Sequence, residues 1–208
     1  MSVDLTVFMV DGERLGAIPV ESRIGRLDDM AWPCEPGDVC DGGYERARGW
    51  HRPPGPAPAW CAVYSFLTTG AHVPHVRAGA AWTDMRPLVG ASVREMMDIF
   101  LGGLIWDADQ ADAPAETGGG AVFPPAADRW SPHVLLVRAP EAVAAKAQAW
   151  ERVEPCLEEL RGLFAVECEC EGWAGRPDTF EDFVALLREW GGVVTETARR
   201  GWGLVGLP

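Results

Sequence analysis

The pattern of apolar residues is clearest near the C-terminal end of the chain. From residue 180 to residue 198 apolar side chains recur at steps of three and four, which places them on one side of an α-helix. Asp178 and Glu181 fit a capping box at the start of this helix, and Gly201 fits a left-handed cap at its end. Residues 202–207 are then typical of a strand. The predicted inward-facing residues are Phe180, Phe183, Val184, Leu187, Trp190, Val194 and Ala198.

Shorter apolar stretches elsewhere predict further strands. Residues 2–10 are partly apolar on both faces and predict a central strand, and residues 59–68 (AWCAVYSFLT) predict a second core strand. Residues 133–138 (HVLLVR) predict a third. Three weaker candidates are a strand at residues 17–20 that a helical turn would follow, a strand at residues 72–76, and an edge strand at residues 165–173. We expect the sheet to contain strands from both ends of the chain.

Helical spacing recurs in three internal segments. Ser92 fits the cap of a helix that reaches residue 104, and Pro140 fits the first position of a helix that continues to residue 153. Pro155 breaks the pattern, and a further helix follows it with Leu157, Leu160, Leu163 and Phe164 on one side.

Two segments lack any such periodicity. Proline and glycine dominate residues 28–58, and acidic residues followed by glycines fill residues 107–131. Both compositions are typical of long irregular loops. Because the strands and helices between them follow no regular βαβ order, we predict a single α+β domain spanning 1–208. Its mixed or antiparallel sheet has four or five strands, with helices mainly on one face.

The charge of the chain narrows the choice of partner. Eighteen basic against 31 acidic residues give a net charge of −13. Such a surface disfavours nucleic acid and anionic membrane, and favours basic proteins or metal cations. No apolar run reaches the roughly 20 residues of a membrane-spanning helix, and Asp4 stands where an export signal needs positive charge. We therefore expect a cytoplasmic protein. The amino-acid composition is typical of a high-GC bacterial genome.

The common catalytic motifs are missing from the sequence. We find no glycine-rich phosphate loop, no dinucleotide fingerprint, no G-x-S-x-G elbow and no H-E-x-x-H. The sequence therefore favours a protein that is not an enzyme and needs no cofactor, although paired carboxylates distant in sequence stay open.

A zinc-type metal site is the main chemical alternative. His72 and His75 form one close pair, and Cys168 and Cys170 form another. Zinc prefers four such ligands in a tetrahedron, often from two close pairs, and would make the protein an enzyme or a sensor. The spacings match no standard finger or ribbon, and Cys-x-Cys on a strand is also typical of ordinary packing. Cys34, Cys40 and His51 are further candidate ligands.

Ten tryptophans allow three interpretations. Most are expected to pack in the core. A sharper hypothesis takes the aromatic residues of the two loops as binding anchors, namely Trp32, Tyr44, Trp50 and Trp130. They would make the protein a binding or regulatory module for a basic protein partner. The other alternative is a small-molecule pocket between sheet and helices, lined by Trp60, Trp106, Trp150 and Trp190.

Four segments carry a resemblance to known sequences: MSVDLTVFMVD, FLGGLIWDAD, WSPHVLL, and FVALLREWGGVVTETARRGWGLVGL. Together they resemble a group of small, acidic, tryptophan-rich hypothetical proteins from high-GC bacteria. From Trp130 onward the layout is also similar to that of YfbM-like proteins, in which a W-S-P-type strand leads through paired helices to a final helix and strand. The resemblance implies a fold and no established reaction, so it assigns no catalytic residue.

Overall fold

A computed structural model describes residues 6–31, 49–51, 60–66, 74–105, 136–167, 177 and 179–207. Its sheet contains β1 (Thr6–Val10), β2 (Gly49–His51), β3 (Cys61–Ser65), β4 (Leu136–Arg138) and β5 (Gly203–Leu207). The strand order is β2-β3-β1-β5-β4, and each adjacent pair is antiparallel. This confirms the predicted α+β class.

The described helices are α1 (Gly12–Gly16), α2 (Arg23–Ala31), α3 (Pro74–Met85), α4 (Ala91–Leu101), α5 (Pro140–Val153), α6 (Arg161–Glu167) and α7 (Phe180–Arg200). Three 3₁₀ turns lie between them, at Val20–Ser22, Arg86–Leu88 and Glu154–Leu160. Among the described helices, none is long and apolar enough to cross a bilayer.

Strands β1 and β5 pair in the middle of the sheet, as the patterns at the two ends of the chain predict. Thr6 lies opposite Leu207, and Val10 lies opposite Gly203. All five residues of each strand are buried, which requires cover on both faces of the sheet. The expected central position of the first strand is therefore confirmed for residues 6–10.

The two faces of the sheet carry cores of different size. On one face Val7, Met9 and Leu204 join a large cluster with side chains from α3, α4, α5 and α7. On the other face Phe8 and Val205 meet Leu15 of α1 and Leu27 of α2, with few other side chains. The helices therefore lie mainly on one face, as predicted, and the short helices α1 and α2 cover the opposite one.

Helix α7 has ten buried residues, more than any other described helix, because its apolar stripe runs from Phe180 to Val194. Phe183, Leu187, Trp190 and Val194 are fully buried, and Gly201 ends the helix with φ +65° in the left-handed region. The cap at the start lies one residue later than predicted. Thr179 Oγ1 accepts from the Asp182 backbone N–H at 3.1 Å, so the N-cap is Thr179, while Asp178 lies outside the described residues.

Three weaker strand predictions are wrong wherever the structure describes them. Residues 17–20 form a turn between α1 and the 3₁₀ turn, residues 74–76 begin α3, and residues 165–167 end α6. Helix α2 also occupies 28–31, which the sequence assigned to the first loop, and β2 lies within that loop. Short apolar runs do not distinguish a strand from a buried helical turn, which accounts for these errors.

Lys146, the only lysine of the chain, connects two helices. It is buried on α5, and its Nζ donates to the carbonyl of Ile99 at 2.9 Å and to the carbonyl of Gly102. Both carbonyls belong to the C-terminal end of α4, where the helix dipole attracts a cation. Lys146 thereby joins α5 to α4.

An ion-pair cluster near the end of α7 makes stability depend on pH. Glu196 accepts from Arg199 Nε at 2.8 Å and from Arg200 Nε at 2.8 Å. The bonds from Arg199 first, and then from Arg200, lower the pKa of Glu196 from 4.5 to about 2. Because the folded-state pKa lies below the ordinary value, this stabilisation is complete above pH 4.5 and is lost as the pH falls towards 2.

We expect Glu196→Gln to lower the free energy of unfolding by about 0.5–1 kcal/mol at neutral pH, since exposed ion pairs contribute little each. The difference from the parent protein should shrink as the pH falls from 4.5 to about 2. Urea unfolding at a series of pH values measures it. The same substitution in an Arg199→Ala, Arg200→Ala background should have almost no effect, and an equal effect there would contradict the assignment.

Candidate binding surface at the edge of the sheet

Of the four predicted loop anchors, the structure describes Trp50. Trp32, Tyr44 and Trp130 lie outside the described residues. Trp50 is in β2, which is an edge strand of the described sheet, and 44% of its surface is exposed. Among the described residues it is the largest of the exposed hydrophobic side chains. An exposed tryptophan on a sheet edge is a plausible contact point for another molecule.

Trp50 is the outer end of a continuous row of aromatic rings. Its ring lies 4.9 Å from that of Tyr64, edge to face at 81°. Tyr64 lies 4.7 Å from Phe66, and Phe66 stacks on Trp190 at 4.5 Å with 29° between the planes. We call these four residues the aromatic row. It runs from the exposed edge of the sheet to a fully buried position on α7.

The local sequence explains this alignment. Trp50 is the register partner of Tyr64 in the antiparallel pair β2–β3, so both side chains lie on the same face of the sheet. Tyr64 and Phe66 are two residues apart and share that face, which is the one covered by α7. Tyr64 and Phe66 were not singled out from the sequence. Their alternation within AWCAVYSFLT was the available signal, but the partner strand was hidden in a predicted loop.

The row is rigid at its inner end and accessible at its outer end. Tyr64 is 8% exposed and Phe66 is 4% exposed, whereas Trp190 is completely buried. Offset and edge-to-face contacts between rings are favourable beyond the area they bury. The contact with Tyr64 therefore orients the ring of Trp50, and binding would require little further ordering of this side chain.

The structure describes three of the four tryptophans of the predicted pocket, and two of them, Trp150 and Trp190, pack in the core. Trp150 lies 4.9 Å from the ring of Phe100 and against the backbone of Gly191. Trp60 is half-buried and packs against the smaller core, and Trp106 lies outside the described residues. The tight packing of Trp150 and Trp190 favours the core interpretation of these two side chains.

The predicted zinc ligands are not brought together by anything that the structure describes. His72, Cys168 and Cys170 lie outside the described residues, as do Cys34 and Cys40. His75 lies in α3 and His51 lies in β2, but their side chains are not described. Within the described part of the chain no three His, Cys, Asp or Glu residues converge. Zinc binding by His72, His75, Cys168 and Cys170 stays a prediction, which metal analysis of the purified protein would test.

The described polar side chains with several hydrogen-bond partners connect elements of the fold. Asp98 of α4 accepts from Trp82 Nε1 at 3.1 Å and from Arg86 Nη2 at 2.8 Å, which joins α3, the following 3₁₀ turn and α4. Burial raises the pKa of the Cys61 thiol to about 12. A thiol with that pKa is protonated at neutral pH and is a poor nucleophile. These groups explain how the fold is held together and indicate no reaction.

Comparison of the chain with protein-family models, with curated proteins and with solved structures gives no match. The resemblances drawn from the sequence therefore stay predictions. The surface around Trp50 has to be interpreted from its own geometry and charge.

Proposed function

We propose that this protein is a non-catalytic binding or regulatory module of the bacterial cytoplasm, and that it contacts a basic protein partner through the edge of the sheet around Trp50. The observation that carries the proposal is the aromatic row, in which an exposed tryptophan is held by three progressively more buried rings. Residues placed in this way have the features of interface hot spots.

The charge of the protein supports a basic partner. A net charge of −13 attracts lysine-rich and arginine-rich surfaces and speeds their association, and it repels nucleic acid and anionic lipid. An exposed indole face is also the best aromatic surface for a guanidinium or ammonium group. The two features support the same class of partner, because one provides long-range attraction and the other provides a specific contact.

An acidic protein that inhibits or carries a basic enzyme would need no catalytic residue. Its affinity would depend on a few anchored aromatic side chains and on electrostatic steering.

We expect Trp50→Ala to weaken binding of the partner about tenfold or more, which corresponds to about 1.4 kcal/mol. The partner is first captured from a lysate of the native host at about 50 mM salt, where the Debye length exceeds its value of roughly 8 Å at physiological salt. Its dissociation constant is then measured with the purified components. Raising the salt should weaken binding further, since part of the attraction is electrostatic.

Ile99→Ala is the matched control, because Ile99 is 45% exposed and lies on α4, away from the aromatic row. A dissociation constant that is unchanged in Ile99→Ala and rises about tenfold or more in Trp50→Ala supports the proposal. An unchanged dissociation constant in Trp50→Ala would refute it. Circular dichroism of both variants establishes that each one is folded.

A further inference from the structure

A cavity of about 270 Å³ lies at one end of the sheet, away from the aromatic row. Val10 at the end of β1, Val137 of β4, Val205 of β5 and Leu15 of α1 supply apolar side chains to its lining. Glycines at 12, 16 and 203 also line it. Since these glycines contribute no side chains, the space beside the valines is left open.

Two arginines line the cavity, Arg23 at the start of α2 and Arg138 at the end of β4. Arg23 is only 8% exposed, which is unusual for an arginine. Its Nε donates to the Ile18 carbonyl at 2.9 Å, and its Nη2 donates to the Gly16 carbonyl at 3.1 Å. These two bonds hold the guanidinium of Arg23 in a fixed orientation beside the apolar lining.

The chemistry of the walls defines the ligand that would fit. Valine and leucine side chains favour an apolar body, and a guanidinium, which has five N–H donors and no acceptor, favours an acceptor with negative charge. Carboxylate and phosphate both match the planar fork of a guanidinium, and the carboxylate is the smaller of the two. An amine would meet a like charge at the same wall.

We propose that this cavity binds a small monocarboxylate with a compact apolar body, such as an aromatic or branched-chain acid. The volume corresponds to about nine water molecules, which is room for a group of roughly ten non-hydrogen atoms. That is near the lower end of the range found for ligand pockets, so a small metabolite is favoured over a nucleotide or a large cofactor. The cavity lies on the face covered by α1 and α2, so binding there is independent of the proposed contact at Trp50.

The test compares two probes with the same aromatic body and opposite charge, 4-fluorobenzoate and 4-fluorobenzylamine, by ¹⁹F NMR titration of the full chain. The net charge of −13 favours the cationic amine at any nonspecific site. A preference for the acid must therefore come from a local positive group. We expect saturable binding of the acid with a dissociation constant in the millimolar range or below, and binding of the amine at least tenfold weaker.

Val137→Phe would fill the cavity, because residue 137 lies on β4 opposite Val205 and faces the same side. It should weaken binding of 4-fluorobenzoate at least tenfold. Val166→Phe is the matched control, since Val166 is 61% exposed on α6 and does not line the cavity, and it should bind like the parent chain.

Equal binding of acid and amine, no saturable binding of the acid, or unchanged binding in a folded Val137→Phe protein would overturn the proposal. The comparison of the two probes uses the unmodified chain, so it decides the question even if Val137→Phe does not fold.

Discussion

Trp190→Ala is expected to lower the free energy of unfolding by about 3–5 kcal/mol, the range found for removal of a large buried aromatic side chain. Trp190 has no exposed surface, and its ring stacks on Phe66 at 4.5 Å. The substitution would leave a cavity between α7 and β3 and remove the inner end of the aromatic row. Urea or guanidinium unfolding, followed by circular dichroism, measures the change.

Two further variants make this result specific. Trp50→Ala should lower the free energy of unfolding by no more than about 1 kcal/mol. Much of that side chain is in solvent, and substitutions at the surface usually change stability little. Trp190→Phe should cost less than Trp190→Ala, since it keeps most of the ring. It also removes the Trp190 Nε1–H, which is buried and finds no acceptor in the described part of the chain. A near-neutral Trp190→Ala variant would contradict the core position.

Gly191→Ala and its neighbour Gly192→Ala are expected to change stability in opposite directions. A Cβ at Gly191 would lie 2.1 Å from Cε2 of Trp150, far inside van der Waals contact, whereas a Cβ at Gly192 meets no atom within 4 Å. We expect Gly191→Ala to destabilise by about 1–3 kcal/mol through overpacking. Gly192→Ala should stabilise by about 0.5–1 kcal/mol, because alanine is the better helix former.

The pair separates a packing effect from a backbone effect, because both glycines lie in the interior of α7 and share its helical conformation. Thermal and denaturant unfolding of the two variants beside the parent chain provide the measurement. Stabilisation by both substitutions would mean that Trp150 can move away from α7 without cost. Destabilisation by both would mean that the contact with Trp150 is not the cause.

The parts of the fold that the sequence predicts are those with a long, regular pattern. The stripe from Phe180 to Val194 spans about four turns, so the burial of Phe183, Leu187 and Trp190 follows from spacing alone. The central strand at 6–10 is predicted for a similar reason, because apolar residues on both of its faces require cover on both sides. Such patterns reflect burial directly.

Short segments were predicted less well, because burial and local propensity conflict there. Residues 74–76 combine a proline with β-favouring neighbours, yet they start α3, where proline fits the first turn. The N-cap of α7 is Thr179 and not the predicted Asp178. Both residue types are favoured at N-caps, so the sequence alone does not choose between two neighbouring candidates.

The candidate sites depend on contacts that no local pattern contains. Trp50 was singled out as an exposed aromatic residue, but its support by Tyr64 requires the pairing of β2 with β3. The cavity beside Arg23 requires β1, β5 and β4 to lie side by side next to α1. Both arrangements join residues far apart in sequence, and the pattern of a single sequence gives no signal for such contacts.

The pairing of β1 with β5 has a consequence for biosynthesis. Thr6 is synthesised about two hundred residues before its partner Leu207. Until then β1 has only β3 beside it, and β4 lacks its own described neighbour, β5. The emerging chain therefore carries an unfinished sheet with exposed apolar strands throughout its synthesis. Such a chain is expected to fold slowly and to depend on chaperones more than its modest length suggests.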